Sequence, residues 1–272
     1  MLRRLSSAAL AAFIARRTYD SLRTGPDAAR WSRTNHRGES VTLAEGPAVA
    51  AGSLAGLLIA PRTSGVPKSA AMLGVAAASG LGALDDLSGA GDIKGLRGHL
   101  GALRQGNVTT GSIKLFGLVA TGVVTGAIAR RGRGGVIDAV LAGGVVAGSA
   151  NLVNLLDLRP GRAAKVFLGA STVPFCFGPR VFGTVVAGPT GATVALVADD
   201  LQERAMLGDT GANALGAAWG IGAAGAMSRG GLAATLAGIG ALTLLSERVS
   251  FSDLIDRTPP LRALDGLGRR SS

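Results

Sequence analysis

The stretch GVIDAVLAGGVVAGSANLV, residues 135–153, is a nearly unbroken apolar run with an acidic residue only near its start. A helix needs about 20 such residues to cross the hydrocarbon core of a membrane. Further apolar runs lie on both sides of it, at residues 3–17, 47–60, 69–84, 115–129, 164–178, 181–198, 211–227 and 230–246. The sequence therefore predicts an all-α fold, a polytopic membrane bundle of about nine transmembrane helices.

The composition supports this class of protein. Apolar residues make up 47% of the 272 residues and charged residues only 17%, which is unusual for a soluble globular domain. The net charge of +11 is spread over short loops and forms no single stripe, so we expect no nucleic-acid partner. Within the apolar runs, three pairs of glycines have the spacing that lets membrane helices cross closely: Gly52 and Gly56, Gly122 and Gly126, and Gly216 and Gly220.

The loops between the runs predict the orientation. If every run crosses the membrane, most of the 28 Lys and Arg residues lie on the side that receives residues 18–46, 85–114, 154–163, 199–210 and 247–272. The positive-inside rule places that side in the cytoplasm, with the N-terminus outside and the C-terminus inside. The start of the chain resembles a signal peptide without a small-residue cleavage site, so we expect an uncleaved first helix. We predict one plasma-membrane domain, residues 1–246, and a cytoplasmic tail, residues 247–272.

Acidic residues lie at the ends of two runs. Asp85 and Asp86 follow the run at 69–84, and Asp209 precedes the run at 211–227. Adjacent carboxylates repel each other, whereas a hard divalent cation such as Mg²⁺ would favour the ionised forms of both. A solvated helix end is the simpler interpretation of Asp85 and Asp86 taken alone, and Asp209 alone is a weak signal.

The loop after Asp86 is polar and basic. It contains Lys94, His99 and Lys114, with glycines between them. Glycines allow close backbone approach, and these cations could neutralise a phosphate-bearing substrate. An ordinary basic loop with no ligand is the competing interpretation.

A polar stripe ends the run at 135–153. Asn151, Asn154 and Asp157 recur every three residues, which places them on roughly one face of a helix. The stripe suits hydrogen bonding to a sugar or nucleoside, or hydrogen bonding between helices. Because the acids, the basic loop and the stripe all fall on one predicted side, next to membrane boundaries, we expect them to share a site.

Taken in order, these motifs resemble those of the polyprenyl-phosphate N-acetylhexosamine-1-phosphate transferase family, which includes phospho-N-acetylmuramoyl-pentapeptide transferase. The resemblance implies an Mg²⁺-dependent enzyme that moves a sugar 1-phosphate from a UDP-sugar to undecaprenyl phosphate and releases UMP, for synthesis of cell-envelope glycans. It extends across most of the chain and rests on Asn35-His36-Arg37-Gly38, Asp85-Asp86, the Lys94–Lys114 loop, Asn151–Asp157 and Gly208-Asp209-Thr210-Gly211.

The resemblance also implies a role for individual residues. Asp85, Asp86 and Asp209 would be catalytic, with Asp209 and Asp86 as metal ligands and with either Asp85 or Asp86 as the base that readies the lipid phosphate. The partners would be the UDP-sugar, undecaprenyl phosphate and membrane lipid, and a homodimer is left open. The substrates would be bound by Asn35, Arg37, Lys94, His99, Lys114, Asn151, Asn154 and Asp157.

The chain departs from the family pattern in two places. After Asp157 comes Leu158-Arg159-Pro160-Gly161-Arg162, where better-known members continue with a glycine and a second acid. Ser246–Ser252 and Leu264–Arg269 stand where those members have a histidine-rich segment. The sugar is therefore left open.

Two other functions compete with the enzyme. A non-catalytic scaffold or lipid-phosphate binder of the same fold predicts that the acids do not converge on one cleft. A transporter predicts polar residues at mid-span, around a central cavity.

Overall fold

A computed structural model describes residues 1–35, 37–88 and 95–270. Within these residues the chain is helical apart from loops and one short hairpin, so the all-α fold class is confirmed. The hairpin consists of β1 (Ser32–Thr34) and β2 (Ser40–Thr42), preceded by a single 3₁₀ turn. The helices are α1 (Leu2–Thr24), α2 (Glu45–Ile59), α3 (Lys68–Ser88), α4 (Gly95–Arg104), α5 (Thr110–Arg130), α6 (Val136–Leu156), α7 (Arg162–Phe177), α8 (Arg180–Leu201), α9 (Gly208–Ala226), α10 (Arg229–Ser246), α11 (Phe251–Arg257) and α12 (Pro259–Gly266).

Every apolar run found in the sequence coincides with one of these helices, namely α1–α3 or α5–α10. Five described helices, α3, α5, α6, α8 and α10, are long and apolar enough to cross a membrane. Such helices are consistent with a membrane protein. The larger number of crossings and the orientation stay predictions.

Helix α9 lies at the centre of the bundle. Its residues are buried along nearly the whole length, and it packs against α2, α3, α6 and α8. Because α9 is built mainly from Gly and Ala, its neighbours can approach its backbone closely on several sides.

The three glycine pairs are confirmed as sites of close helix crossing. A Cβ atom at Gly216 would lie 2.2 Å from the carbonyl oxygen of Ser149 on α6, and one at Gly122 would lie 2.3 Å from that of Gly143. A Cβ atom at Gly52 would lie 2.5 Å from the carbonyl oxygen of Ala11 on α1. The other member of each pair is equally crowded by backbone atoms of a neighbouring helix.

We expect Gly216→Ala to destabilise the bundle by about 1–3 kcal/mol, because the new methyl group would push α6 away from α9. Gly240→Ala is the matched control, since a Cβ atom there would meet nothing within 4 Å. Thermal unfolding in detergent would show a lower midpoint for Gly216→Ala alone. Equal midpoints for the two variants would contradict the close crossing of α6 and α9.

Candidate active site

Three helix ends meet around one ammonium group. Asp85 lies in the last turn of α3, Lys114 in the first turns of α5 and Asp209 in the first turn of α9. The Lys114 Nζ atom donates to Asp85 Oδ2 at 2.6 Å and also to Asp209 Oδ2. These side chains are 16% to 24% exposed, so the cluster is open to solvent at one end of the bundle. The predicted convergence of Asp85, Lys114 and Asp209 is therefore present in the structure.

Local sequence features set this geometry. Thr109 caps α5 by accepting a hydrogen bond from the Ser112 backbone N–H at 3.1 Å, which fixes the start of the helix that carries Lys114. Gly82 allows α9 to start directly against α3, because a Cβ atom there would lie 2.3 Å from the carbonyl oxygen of Asp209. The turn into α9 uses Gly208 with a φ of 59°, a conformation that glycine adopts without strain.

Asp86 has a different role from its neighbour Asp85. Its Oδ1 accepts from the backbone N–H of Asp209 at 3.0 Å, and its Oδ2 accepts from the backbone N–H of Thr210 at 2.9 Å and from the Thr210 hydroxyl at 2.6 Å. A carboxylate at a helix N-terminus satisfies free N–H groups and interacts favourably with the helix dipole. Asp86 thus holds the first turn of α9, and with it Asp209, in place.

We expect Asp86→Ala to lower the free energy of unfolding by about 2–4 kcal/mol, because three donors at the start of α9 lose a charged acceptor. Asp253→Ala is a suitable control, since Asp253 also lies in the first turn of a helix but is exposed to solvent. Thermal unfolding of both purified variants would measure the difference. A midpoint for Asp86→Ala as high as that of the control would refute the capping role.

Arg33 is a site residue that the sequence analysis missed. It lies on β1, and its guanidinium donates to the backbone carbonyl of Asp86. The hairpin is held beside α9 because the Met206 N–H donates to the Thr42 carbonyl at 2.9 Å. The signal for Arg33 was its place two residues before Asn35 in a predicted cytoplasmic loop.

Asn35 and Arg37, which the family resemblance assigned to substrate, contact Glu203. The Asn35 Nδ2 atom lies 3.0 Å from Glu203 Oε2, and an Arg37 guanidinium nitrogen lies 3.1 Å from Glu203 Oε1. Glu203 is buried and has a φ of 58°, which is unusual for a residue other than glycine. The contacts of Asn35 and Arg37 therefore secure the loop before α9, and neither side chain hydrogen-bonds to Lys114.

The polar stripe of α6 reaches the start of α9 through Asp157. The Asp157 carboxyl lies close to the backbone N–H of Gly208. Burial, together with the nearby carboxylates of Asp200 and Asp209, raises the pKa of Asp157 well above its usual range. Asn151 and Asn154 are partly exposed, and neither side chain hydrogen-bonds to another described residue.

Two buried acids behind this stripe were also missed. Asp200 ends α8, and its Oδ1 accepts from the Gly161 N–H at 2.8 Å. Glu45 begins α2, is fully buried, and has no hydrogen-bond partner for either carboxyl oxygen among the described residues. The carboxyl groups of Asp157 and Asp200 are near enough to repel a negative charge on Glu45. Asp199 and Asp200 follow an apolar run, as Asp85 and Asp86 do. The same pattern could therefore have identified Asp200 from the sequence.

The described residues supply two of the carboxylates that a Mg²⁺ site requires, Asp85 and Asp209, but not the predicted ligand Asp86. Mg²⁺ commonly takes one or two carboxylates and completes its shell with water and substrate phosphate. Asp85 and Asp209 already direct oxygens toward one cation, the Lys114 ammonium. Asp86, the other predicted ligand, has both oxygens engaged by α9. Within the described residues, no group of three or more His, Cys, Asp or Glu side chains is arranged to hold a metal ion.

Two predicted substrate contacts cannot be placed. Lys94 lies outside the described residues, and so does the side chain of His99. His36 of the Asn35–Gly38 motif is likewise outside them.

Comparison with protein-family models finds no match to the chain. A search of curated proteins finds no match either.

Proposed function

We propose that the chain is a membrane phosphoglycosyltransferase of the polyprenyl-phosphate N-acetylhexosamine-1-phosphate transferase family. It would transfer a sugar 1-phosphate from a UDP-sugar to undecaprenyl phosphate and release UMP. The observation that carries the proposal is the meeting of Asp85 and Asp209, from α3 and α9, at Lys114 of α5. A scaffold of the same fold would not need these distant acids to converge on an open face.

The chemistry asks for charge neutralisation and positioning. An oxygen of the lipid phosphate attacks the sugar-bearing phosphorus of the UDP-sugar, the bond to the bridging oxygen breaks, and UMP leaves with that oxygen. Lys114 would neutralise phosphate charge during this exchange, and Arg33 lies close enough to the site to assist. Asp209 and Asp85 would hold Mg²⁺, which when bound would supply positive charge to stabilise the reacting phosphates.

Other residues would orient the donor. Asp157, at the end of α6, lies beside Gly208 and offers a carboxyl to the nucleotide. Asn151 and Asn154 have amide groups that no described residue uses, so they are available to the sugar or the nucleoside. Asp86 would act as a positioning residue, since it contacts the start of α9 and through it orients Asp209.

We also propose that all nine apolar helices cross the plasma membrane and that the Asp85–Lys114–Asp209 end faces the cytoplasm. The basic loops at that end support this orientation. UDP-sugars and the phosphate of the lipid carrier would then meet at the membrane surface, where Lys114 is accessible.

A forward transfer assay tests the function. Purified protein in liposomes that contain undecaprenyl phosphate would receive Mg²⁺ and each of a panel of UDP-sugars labelled in the sugar. We expect label in the lipid extract for at least one donor and release of UMP in equal amount. Absence of labelled lipid with every donor would favour the scaffold.

A further inference from the structure

A cavity of about 350 Å³ lies at the end of the bundle opposite Lys114. Its walls come from the loop between α2 and α3, the loop between α5 and α6, and the start of α8. Three arginines, Arg62, Arg133 and Arg180, line it together with hydroxyl groups of Thr63 and Ser64. None of the described residues that line it is acidic. Cavities of this size accommodate small ligands or lipid headgroups.

Two of these arginines have no partner in the part of the chain that the structure describes. Neither Arg62 nor Arg180 makes a side-chain hydrogen bond or an ion pair there, and both are exposed at the cavity. Arg133 is anchored differently, because one guanidinium nitrogen donates to the carbonyls of Gly65 and Gly225. That anchor fixes Arg133 in the wall and leaves donors on its other nitrogens.

The described acid at this end of the bundle is already paired with other arginines. Asp138 lies at the same end of the bundle, where α6 begins, but it is buried and held by Arg130 and Arg229. Its negative charge is therefore already balanced by two cations. The cavity therefore has a concentrated positive charge, which attracts anions from solution.

The chemistry of the walls favours phosphate. Guanidinium groups bind phosphate oxygens through paired N–H donors, and basic pockets between membrane helices hold anionic lipid headgroups. Beside the cavity, the end of α7 exposes Val173 and Phe177, the latter to 89%. Such an apolar rim suits the acyl chains of a lipid whose headgroup enters the cavity.

We propose that the Arg62–Arg133–Arg180 cavity is a binding site for a phosphate-bearing anion, separate from the Asp85–Lys114–Asp209 cluster. The same chemistry would accept a phospholipid headgroup or free phosphate. The site does not depend on the transferase function, because none of its residues belongs to the proposed catalytic end.

The test compares two double variants of the full-length protein with equal loss of charge. R62Q/R180Q removes two arginines of the cavity whose side chains make no hydrogen bond or ion pair with the described residues. R3Q/R131Q removes two exposed arginines of the same end that do not line the cavity. Native mass spectrometry after purification from phosphatidylcholine bilayers with added phosphatidylglycerol measures retained anionic lipid. Thermal unfolding in detergent with inorganic phosphate measures the free anion.

We expect apparent affinity for phosphatidylglycerol, for phosphate, or for both to fall by about ten-fold in R62Q/R180Q and to stay at the wild-type value in R3Q/R131Q. Loss of lipid retention alone identifies the headgroup as the ligand, and loss of the phosphate effect alone identifies the free anion. Equal binding by the two double variants, or no binding of either probe by the wild-type protein, would overturn the proposal.

Discussion

Asp209→Asn is expected to reduce transfer of sugar phosphate to undecaprenyl phosphate by about 10²- to 10³-fold while the bundle stays folded. The substitution keeps the size of the side chain but removes the charge that faces Lys114 and, in the proposed enzyme, Mg²⁺. The backbone N–H of Asp209 that binds Asp86 is unchanged, so α9 should still begin at the same place. The forward transfer assay and a thermal unfolding curve measure the two properties separately.

Asp27→Asn is the matched control for this substitution. Asp27 is an exposed acid at the same end of the bundle, with only a loose 3.7 Å ion pair to Arg30. We expect its activity to equal that of the wild-type protein. If Asp209→Asn is folded and keeps substantial activity, Asp209 has no role in the reaction. The contacts among Asp85, Lys114 and Asp209 would then only stabilise the fold.

Removing one partner of the Arg162–Asp265 pair is expected to destabilise the protein by about 3–5 kcal/mol. Arg162 begins α7 and Asp265 lies in α12, and both are buried. The guanidinium binds the carboxylate through two bonds, Nε to Oδ1 at 2.8 Å and a terminal nitrogen to Oδ2 at 3.0 Å. Arg162→Leu or Asp265→Leu would leave a buried charge without its main partner.

The double variant R162L/D265L sharpens this test. Replacing both members of a buried ion pair by apolar residues is often nearly neutral, so we expect the double variant to recover much of the stability that either single variant loses. Thermal unfolding together with limited proteolysis within residues 247–272 would follow both the stability of the protein and the docking of the tail. Additive losses in the double variant would show that the two residues are not coupled.

This pair joins the two places at which the sequence departs from the pattern of the family that it resembles. The Leu158–Arg162 turn supplies Arg162, and the Leu264–Arg269 stretch supplies Asp265. A second contact joins the same two segments, because the Arg269 Nε donates to the Pro160 carbonyl at 2.9 Å. The segment predicted as a separate cytoplasmic tail is thus packed against the start of α7, and the two departures form one structural unit.

The helices were predictable because apolar runs are a local property of the sequence. Each run from residue 3 to residue 246 corresponds to a described helix, and the glycine pairs mark where helices cross. Helix ends were less accurate: α3 extends to Ser88, so Asp85 and Asp86 lie inside its last turn and not in a loop. Polar residues at a helix end do not interrupt helical hydrogen bonding. A pattern of apolar residues therefore does not show how far the helix continues beyond the apolar run.

The partners of each polar side chain could not be read from the sequence. Asp85 and Asp86 are adjacent, yet one binds Lys114 and the other binds the start of α9. The difference arises because successive residues on a helix point about 100° apart, so only the packing of α5 and α9 decides which acid meets which group. The contact of Arg33 with Asp86 likewise depends on the hairpin fold.

Exchange of labelled UMP into a UDP-sugar tests the central claim most directly, because it requires both substrates and the reverse chemical step at one site. Purified wild-type protein, undecaprenyl phosphate, Mg²⁺ and a panel of unlabelled UDP-sugars would be incubated with labelled UMP, alongside Asp209→Asn and Asp27→Asn. The proposed function predicts label in at least one UDP-sugar for the wild-type protein and Asp27→Asn, and almost none for Asp209→Asn. Absence of exchange with every donor, or equal exchange by Asp209→Asn, would contradict it.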